Sequence, residues 1–227
     1  MKQIILLIFT VFLMVGCSDA VETTSGELSE NAQNFSPHGD SYTQLVDFYN
    51  AVQDALNEEL EREEIIEAFD ELEEEKRDLQ SSLVEVEFEE LSDSAETLKE
   101  NSDARETLLD DEALIYDEIA SQLEDAETML GQIVTRGYST RGEALIEAAL
   151  ERLETQRNLL DGKYEIVERE RKLYELFADS ETTQEMIDEQ TSNISEAYVE
   201  VAERSEALGK QTEALNGALE TLFEYMN

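Results

Sequence analysis

After Pro37 the chain carries no further proline, and from there on its apolar residues return at alternating steps of four and three. That rhythm restricts the fold more than any other feature of the sequence. Near the carboxyl end, Ile187, Thr191, Ile194, Tyr198, Val201, Ser205, Leu208, Thr212, Leu215, Leu219, Leu222 and Met226 keep it without a break. An average step of 3.5 holds such residues on one stripe of an α-helix, as in a coiled-coil seam. Ile66, Phe69, Leu72, Leu79, Leu83 and Val86 follow the same rhythm with Lys76 filling one place. Phe88, Leu91, Ala95 and Leu98, continued by Leu108, Ile115, Ile119, Leu123, Ala126, Leu130 and Ile133, form a further face, and Ile146 to Tyr174 completes the set. A stripe this narrow cannot bury itself, so the helices must pack side by side. Glu, Leu, Ala, Gln and Arg, all good helix formers, dominate this part of the chain. The fold class is all-α.

Capping signals set the boundaries. Ser41 to Gln44, Thr140 to Glu143 after Gly137, and Thr182 to Glu185 after Asp179 and Ser180 read as capping boxes, in which a hydroxyl and a carboxylate or amide satisfy free backbone amides reciprocally. One helix from Tyr42 to Val134 would run about 140 Å, with no partner of that length. The chain is therefore expected to break between Val84 and Ser94, with Ser92 or Asp93 as cap. Helices are expected over 42–84, 87–134, 141–178 and 182–226. Their lengths match, at about 55–70 Å each, and short connections favour antiparallel neighbours. Residues 41–227 thus read as one elongated, antiparallel, up-and-down four-helix bundle with coiled-coil-like packing.

The amino-terminal end follows other rules. Lys2, the apolar run Ile4 to Val15 and Gly16 have the layout of a secretory signal over residues 1–16. The run is far shorter than the roughly 20 residues a spanning helix needs. Cys17 follows at once and is the only cysteine, so it has no disulfide partner within the chain. Met14-Val15-Gly16-Cys17 resembles the lipobox of bacterial lipoproteins, with methionine where leucine is more usual. That resemblance implies a diacylglycerol thioether on Cys17 and a mature protein held at the outer face of a membrane, by about 0.8 kcal/mol per buried methylene. Residues 17–40, with scattered Ser, Asn and Gly, Pro37 and almost no apolar periodicity, read as a tether.

Charge narrows the partners. The formal net charge is −41, from 16 basic and 57 acidic residues. Nucleic-acid binding needs a basic surface and is excluded; anionic headgroups and phosphate polymers repel the body in the same way. So much carboxylate beneath few lysines suits a salty or alkaline habitat. Self-repulsion opposes compaction and salt screens it, so the melting temperature is expected to rise from low to molar salt. A flat response would remove the idea. One segment departs from the acidic background: from Arg136 to Lys172, eight basic residues balance eight acidic ones. Either this helix pairs with acidic neighbours, or Arg152, Arg157, Lys163 and Arg169 form a docking face for a wall polymer or an envelope protein.

Reactive constellations are scarce. His38, the only histidine, lies in the tether. There is no Cys/His cluster for zinc, no histidine in the helical part for a Ser-His-Asp triad, no glycine-rich phosphate loop and no Glu-x-x-His pair for a di-iron bundle. No cofactor is expected. Glu58-Glu59, Glu73-Glu74-Glu75 and Asp110-Asp111-Glu112 lack the ordered spacing of a calcium loop and read as solvated helix faces. Glycoside hydrolysis needs two carboxyls about 5–10 Å apart across a sugar-sized cleft, which narrow bundles seldom provide. Seven tyrosines (Tyr42, Tyr49, Tyr116, Tyr164, Tyr174, Tyr198 and Tyr225) fall mostly on the apolar stripes and read as core with the hydroxyl at the rim.

The acidic amphipathic first helix, the segment Phe88-Glu-Glu-Leu-Ser-Asp-Ser-Ala-Glu-Thr-Leu and the segment Lys172-Leu-Tyr-Glu-Leu-Phe-Ala-Asp-Ser-Glu-Thr-Thr, with Ile187 to Tyr198 beyond it, resemble the YkyA-like cell-wall-binding lipoproteins of Gram-positive bacteria. The likeness runs from about residue 41 to the end. It implies an extracytoplasmic lipoprotein with an antiparallel helical bundle, no assigned enzymatic activity and no catalytic residues to carry over. Members of that family are richer in lysine than this chain. Three functions are open at this stage. The first is a membrane-tethered, non-enzymatic spacer or adaptor that contacts the wall or an envelope protein. The second is a binding module or chaperone with a groove between helices, and the third is a wall glycan hydrolase.

Overall fold

The structure, a computed structural model, describes residues 39–83 and 91–226. All elements among them are helical: α1 (Gly39–Asn57), a 3-10 turn (Glu58–Glu61), α2 (Arg62–Leu83), α3 (Leu91–Leu130), α4 (Arg136–Ala178) and α5 (Gln184–Met226). The chain is all-α, as the apolar rhythm requires.

The helix limits differ from the capping signals. Ser41 and Thr140 lie inside α1 and α4 rather than at their starts, and Ser92 and Asp93 lie inside α3. What opens α4 is Thr135, whose carbonyl accepts the amides of Tyr138 (2.8 Å) and Ser139 (3.1 Å). α3 stops at Leu130, just before Gly131, instead of reaching 134. The cap of α5 falls at Thr183, one residue beyond the expected Thr182. The Met186 amide donates to Thr183 Oγ1 at 3.3 Å, the hydrogen bond of an N-cap. The Glu181 amide donates to Asp179 Oδ1 at 2.9 Å and closes the preceding turn. The 3-10 turn interrupts the first predicted helix at a run of glutamates with no glycine or proline to announce it.

The helices group into two compact units. Among the described residues, unit 1 takes 63–83, 91–113 and 158–205, and unit 2 takes 39–62, 114–157 and 206–226. In unit 1, contacts fix the directions of the helices. Between α3 and α4, Asp103 bonds Arg171 and Asp110 bonds Tyr164, so one number rises by seven as the other falls by seven. α4 meets α5 through Glu170–Tyr198 and Arg204–Asn158, again antiparallel. α2 meets α4 through Lys76–Glu170 and Gln80–Tyr174, in parallel. The result is an up-and-down bundle. Its apolar core joins Ala95, Leu98, Leu173, Tyr174, Phe177, Ile187 and Ile194, with Leu79 and Tyr198 against it.

Unit 2 has the same topology. α1 runs with α4 (Tyr42 beside Tyr138, Glu59 beside Arg152) and against α5, where the Tyr42 hydroxyl donates to the Met226 carbonyl at 3.0 Å. Leu45, Phe48, Val52, Leu123, Leu145, Leu215 and Leu222 are fully buried. Tyr42, Tyr138 and Tyr225 stack edge to face in sequence, and the Arg141 guanidinium lies 3.6 Å from the Tyr225 ring centroid.

The α5 stripe falls inward as read: its hydrophobic members are buried, apart from a partly buried Tyr198. In α3 the frame shifts by one residue, because Leu109 and Tyr116 are buried while Leu108 and Ile115 are only half-buried. Tyr49, Tyr116 and Tyr174 are core residues, whereas Tyr225 remains 42% exposed.

Two glycines make opposite predictions. A Cβ on Gly162 would lie 2.7 Å from Val201 Cγ2 and 2.9 Å from Arg204 Nη1. Val201 is buried, and a β-branched side chain in a helix has one strongly preferred rotamer. Gly162→Ala is therefore expected to cost about 1–2 kcal/mol through overpacking, despite a better helix former. At Gly217 a Cβ meets nothing within 4 Å, so Gly217→Ala is expected to stabilise by up to about 1 kcal/mol. Urea midpoints of the two variants check both signs.

Candidate functional site

The polar groups of α4 divide into partly exposed pairs and buried centres. Of the four residues expected on a docking face, Arg152 is only 2% exposed. Its guanidinium forks onto Glu59 of the 3-10 turn, with Nη2 donating to Oε2 at 2.9 Å, and its Nε donates to Thr212 Oγ1 at 2.9 Å. Gln156 Nε2 donates to the same carboxylate at 2.9 Å. Arg157 bonds Asp117 at 2.6 Å and the Tyr116 carbonyl at 3.2 Å, and is half-buried. Lys163 reaches Glu112 at 3.1 Å, with its ammonium 5.6 Å from the Phe69 ring centroid. Arg169 binds Glu165 and the Asn193 carbonyl. The four are thus spread over both units, and each has an acidic partner. Cys17 and His38 lie outside the described residues.

A centre that sequence reading missed sits inside unit 1 and takes a side chain from every helix there. Lys76 of α2 is 3% exposed, and it is the only α2 side chain among the described residues that is fully buried. Its three protons are all used: Glu73 Oε2 at 2.6 Å, Glu170 Oε1 at 2.9 Å and the Tyr198 hydroxyl at 2.8 Å. Arg105 of α3 is fully enclosed; it donates to Glu170 Oε2 at 2.6 Å, Glu73 Oε1 at 2.5 Å and Asn101 Oδ1 at 3.0 Å. The Tyr198 hydroxyl donates to Glu170 Oε1 at 2.9 Å. Beside them, Gln80 Nε2 donates to the Tyr174 hydroxyl at 3.0 Å. Two cations meet two carboxylates, so the centre is neutral, and Glu170 has both oxygens saturated.

The electrostatics follow from that geometry. Burial alone would raise the Glu170 pKa, but Lys76 and then Arg105 overcome it and hold the carboxyl at about 2. Burial works against the Arg105 cation, yet Glu170 and Glu73 outweigh it and raise its pKa further. Burial, reinforced by the charge of Glu170, pushes the Tyr174 and Tyr198 hydroxyls well above the usual phenol range. These groups are locked in one charge state, which suits a clasp between helices better than proton transfer.

Each acidic run expected to be a solvated face turns at least one member inward. Glu59 pairs with Arg152, Glu73 with Lys76 and Arg105, and Glu112 with Lys163. The signal that finds the α3 members is the four-three rhythm carried across polar letters: Ala95, Leu98, Ser102, Arg105, Leu109, Glu112, Tyr116. All seven are buried. Among the described residues no group of three or more His, Cys, Asp or Glu is placed to hold a metal ion.

Long helices closed by neutral, saturated ionic centres define a class of helical-bundle scaffold. A solved structure agrees on the fold: the crystal structure of a conserved protein of unknown function from Staphylococcus aureus superposes with a TM-score of 0.65 at 16% identity, covering 86% of this chain and 97% of that one. More specific is the match of a family model over residues 43–224, for the family described as "Putative cell-wall binding lipoprotein". The chain belongs to the YkyA family. No curated protein matches it.

Proposed function

We propose that this protein is a non-enzymatic lipoprotein, held at the outer face of the cell membrane by a lipid on Cys17. Its helical part serves as a spacer or adaptor that contacts the wall or another envelope protein. The observation that carries the reading is the saturation of the buried ionisable groups in both units. Lys76, Arg105, Glu170 and Arg152 spend their donors and acceptors on one another and on neighbouring helices. Groups used in this way fix helices and are not presented to a substrate. Family membership supports attachment to the cell wall. No helix among the described residues is long and apolar enough to cross a membrane; a lipid on Cys17 would supply the anchor. Arg157, Lys163 and Arg169 are the members of the proposed docking face with part of their surface in water, whereas Arg152 serves it only through the packing of α4.

Metabolic labelling with a palmitate analogue tests the anchor: label is expected on the wild-type chain and absent from Cys17→Ser. Co-sedimentation with isolated walls tests the adaptor, with reduced retention expected for Arg157→Gln, Lys163→Gln and Arg169→Gln combined. An unlabelled wild-type chain, or release of glycan fragments by purified protein, would overturn the reading.

A further inference from the structure

The acids of this chain are spread almost evenly, with one exception. From Asp40 onward every interval between two of them holds at most six residues, except 128–142, which holds fifteen. Those fifteen include Arg136 and Arg141, and they close one end of unit 2: they finish α3, connect it to α4 and form the first turns of α4. In the connection, Val134 is 87% exposed. Arg136 is exposed, and neither it nor Arg141 has a carboxylate partner among the described residues. Beside them stand Tyr42, Tyr138 and Tyr225 from three helices, with Tyr225 partly exposed. The Tyr138 and Tyr225 hydroxyls have no hydrogen-bond partner among the described residues. The acids that share this end are Glu224, beside Tyr225, and Asp40, in the first turn of α1.

We propose that this end of unit 2 rests on the phospholipid bilayer. An exposed aliphatic side chain, tyrosines with free hydroxyls and unpaired arginines are the groups that settle at a membrane interface. Val134 meets the acyl boundary, the tyrosines lie at headgroup level, and Arg136 and Arg141 face lipid phosphates, which guanidinium groups bind in a fork. A hydrated wall glycan would leave Val134 in water. The path of the chain favours the same occupant. Tyr42, in the first turn of α1, bonds the Met226 carbonyl and packs on Tyr138, so the chain enters unit 2 at this end. Cys17 lies 22 positions before Gly39, a distance of at most about 80 Å. Confinement within that reach raises the local concentration, so a small patch is enough to hold the surface. Elsewhere the carboxylates recur at short intervals and repel anionic headgroups, which restricts contact to this end. The proposal rests on the lipid on Cys17 and adds to it a contact made by the folded part.

The test uses full-length protein on vesicles of phosphatidylcholine and phosphatidylglycerol that carry brominated acyl chains, which quench tryptophan on contact. The chain has no tryptophan, so Tyr225→Trp places a single fluorophore in the patch. Leu114→Trp places one on α3, at a site 66% exposed and about 24 Å along the helix from Leu130. Both variants keep the same amino-terminal anchor, so a difference between them reports the end of the unit alone. Tyr225→Trp is expected to be quenched at least threefold more than Leu114→Trp, with its emission shifted to the blue. Adding Val134→Asp and Arg136→Gln, both at exposed sites, is expected to bring its quenching down to the Leu114→Trp level. Equal quenching of the two reporters would mean adsorption with no preferred end. That result, no quenching of either, or quenching that survives Val134→Asp with Arg136→Gln would overturn the proposal. A blue shift with soluble wall glycan fragments but not with vesicles would assign the patch to the wall, and would overturn it equally. None of these results depends on the palmitate label at Cys17, so the anchor reading stands or falls separately.

Discussion

Replacing Glu170 by glutamine is expected to destabilise unit 1 by about 3–5 kcal/mol, the cost of removing one partner from a buried ion pair. The reason is specific to this centre. Glu170 is the carboxylate that both Lys76 and Arg105 touch, at 2.9 and 2.6 Å, and both cations are sealed from water. Without its charge they share Glu73 alone, whose side chain is about a quarter exposed, and an uncompensated positive charge stays inside the bundle. Glutamine also offers one acceptor oxygen where Glu170 offers two, so either Lys76 and Tyr198 or Arg105 is left facing an amide N–H. Replacing the three buried partners together by Lys76→Met, Arg105→Leu and Glu170→Met should recover most of the loss, because apolar side chains then fill the interior and the one charge left without a partner, Glu73, is about a quarter exposed and can be hydrated. Urea unfolding at pH 7 reads both variants, and hydrogen exchange of the unit 1 amides locates the effect. A loss below 1 kcal/mol for Glu170→Gln would mean the centre is not the dry, closed cluster its distances describe.

Such a centre shows how far the sequence could be read. The α5 stripe from Ile187 to Met226 was legible position by position, since its register rests on apolar residues that need no partner to reveal their side. Lys76 was legible as an occupant of a stripe but not as a buried cation, because its partner Glu170 stands 94 residues away. In α3, counting only apolar letters skipped Ser102, Arg105 and Glu112 and restarted the count at Leu108, one residue off the true frame through Leu109 and Tyr116. A buried charge carries no local signature: its burial is affordable only once the opposite charge arrives from another helix. The near-balance of charge along α4 was visible and pointed the right way for Arg152, Arg157, Lys163 and Arg169, each of which has an acidic neighbour. It could not say which of them face inward.

The same centre should write itself into the response to acid. A carboxyl whose folded pKa lies at about 2, against an ordinary value of 4.5, takes its proton in the unfolded chain first. Its contribution is therefore complete above about pH 5 and lost progressively as pH falls toward 2, where folded and unfolded forms bind the proton alike. The difference amounts to about 3 kcal/mol at about 1.36 kcal/mol per pH unit. The groups facing Glu170 are Glu73 and Lys76 from α2, Arg105 from α3, Tyr174 from α4 and Tyr198 from α5. Of these only Glu73 is another carboxyl, so a Glu73→Gln background assigns the transition. The expected signature is convergence: urea midpoints of wild type and Glu170→Gln are far apart at pH 6, close steadily below pH 5 and nearly meet near pH 2. Because the other carboxylates are common to both proteins, their titration cancels in the difference. A gap that stays constant across this range would show that Glu170 titrates alike in the folded and unfolded chain, and the ionic account of the clasp would fall with it.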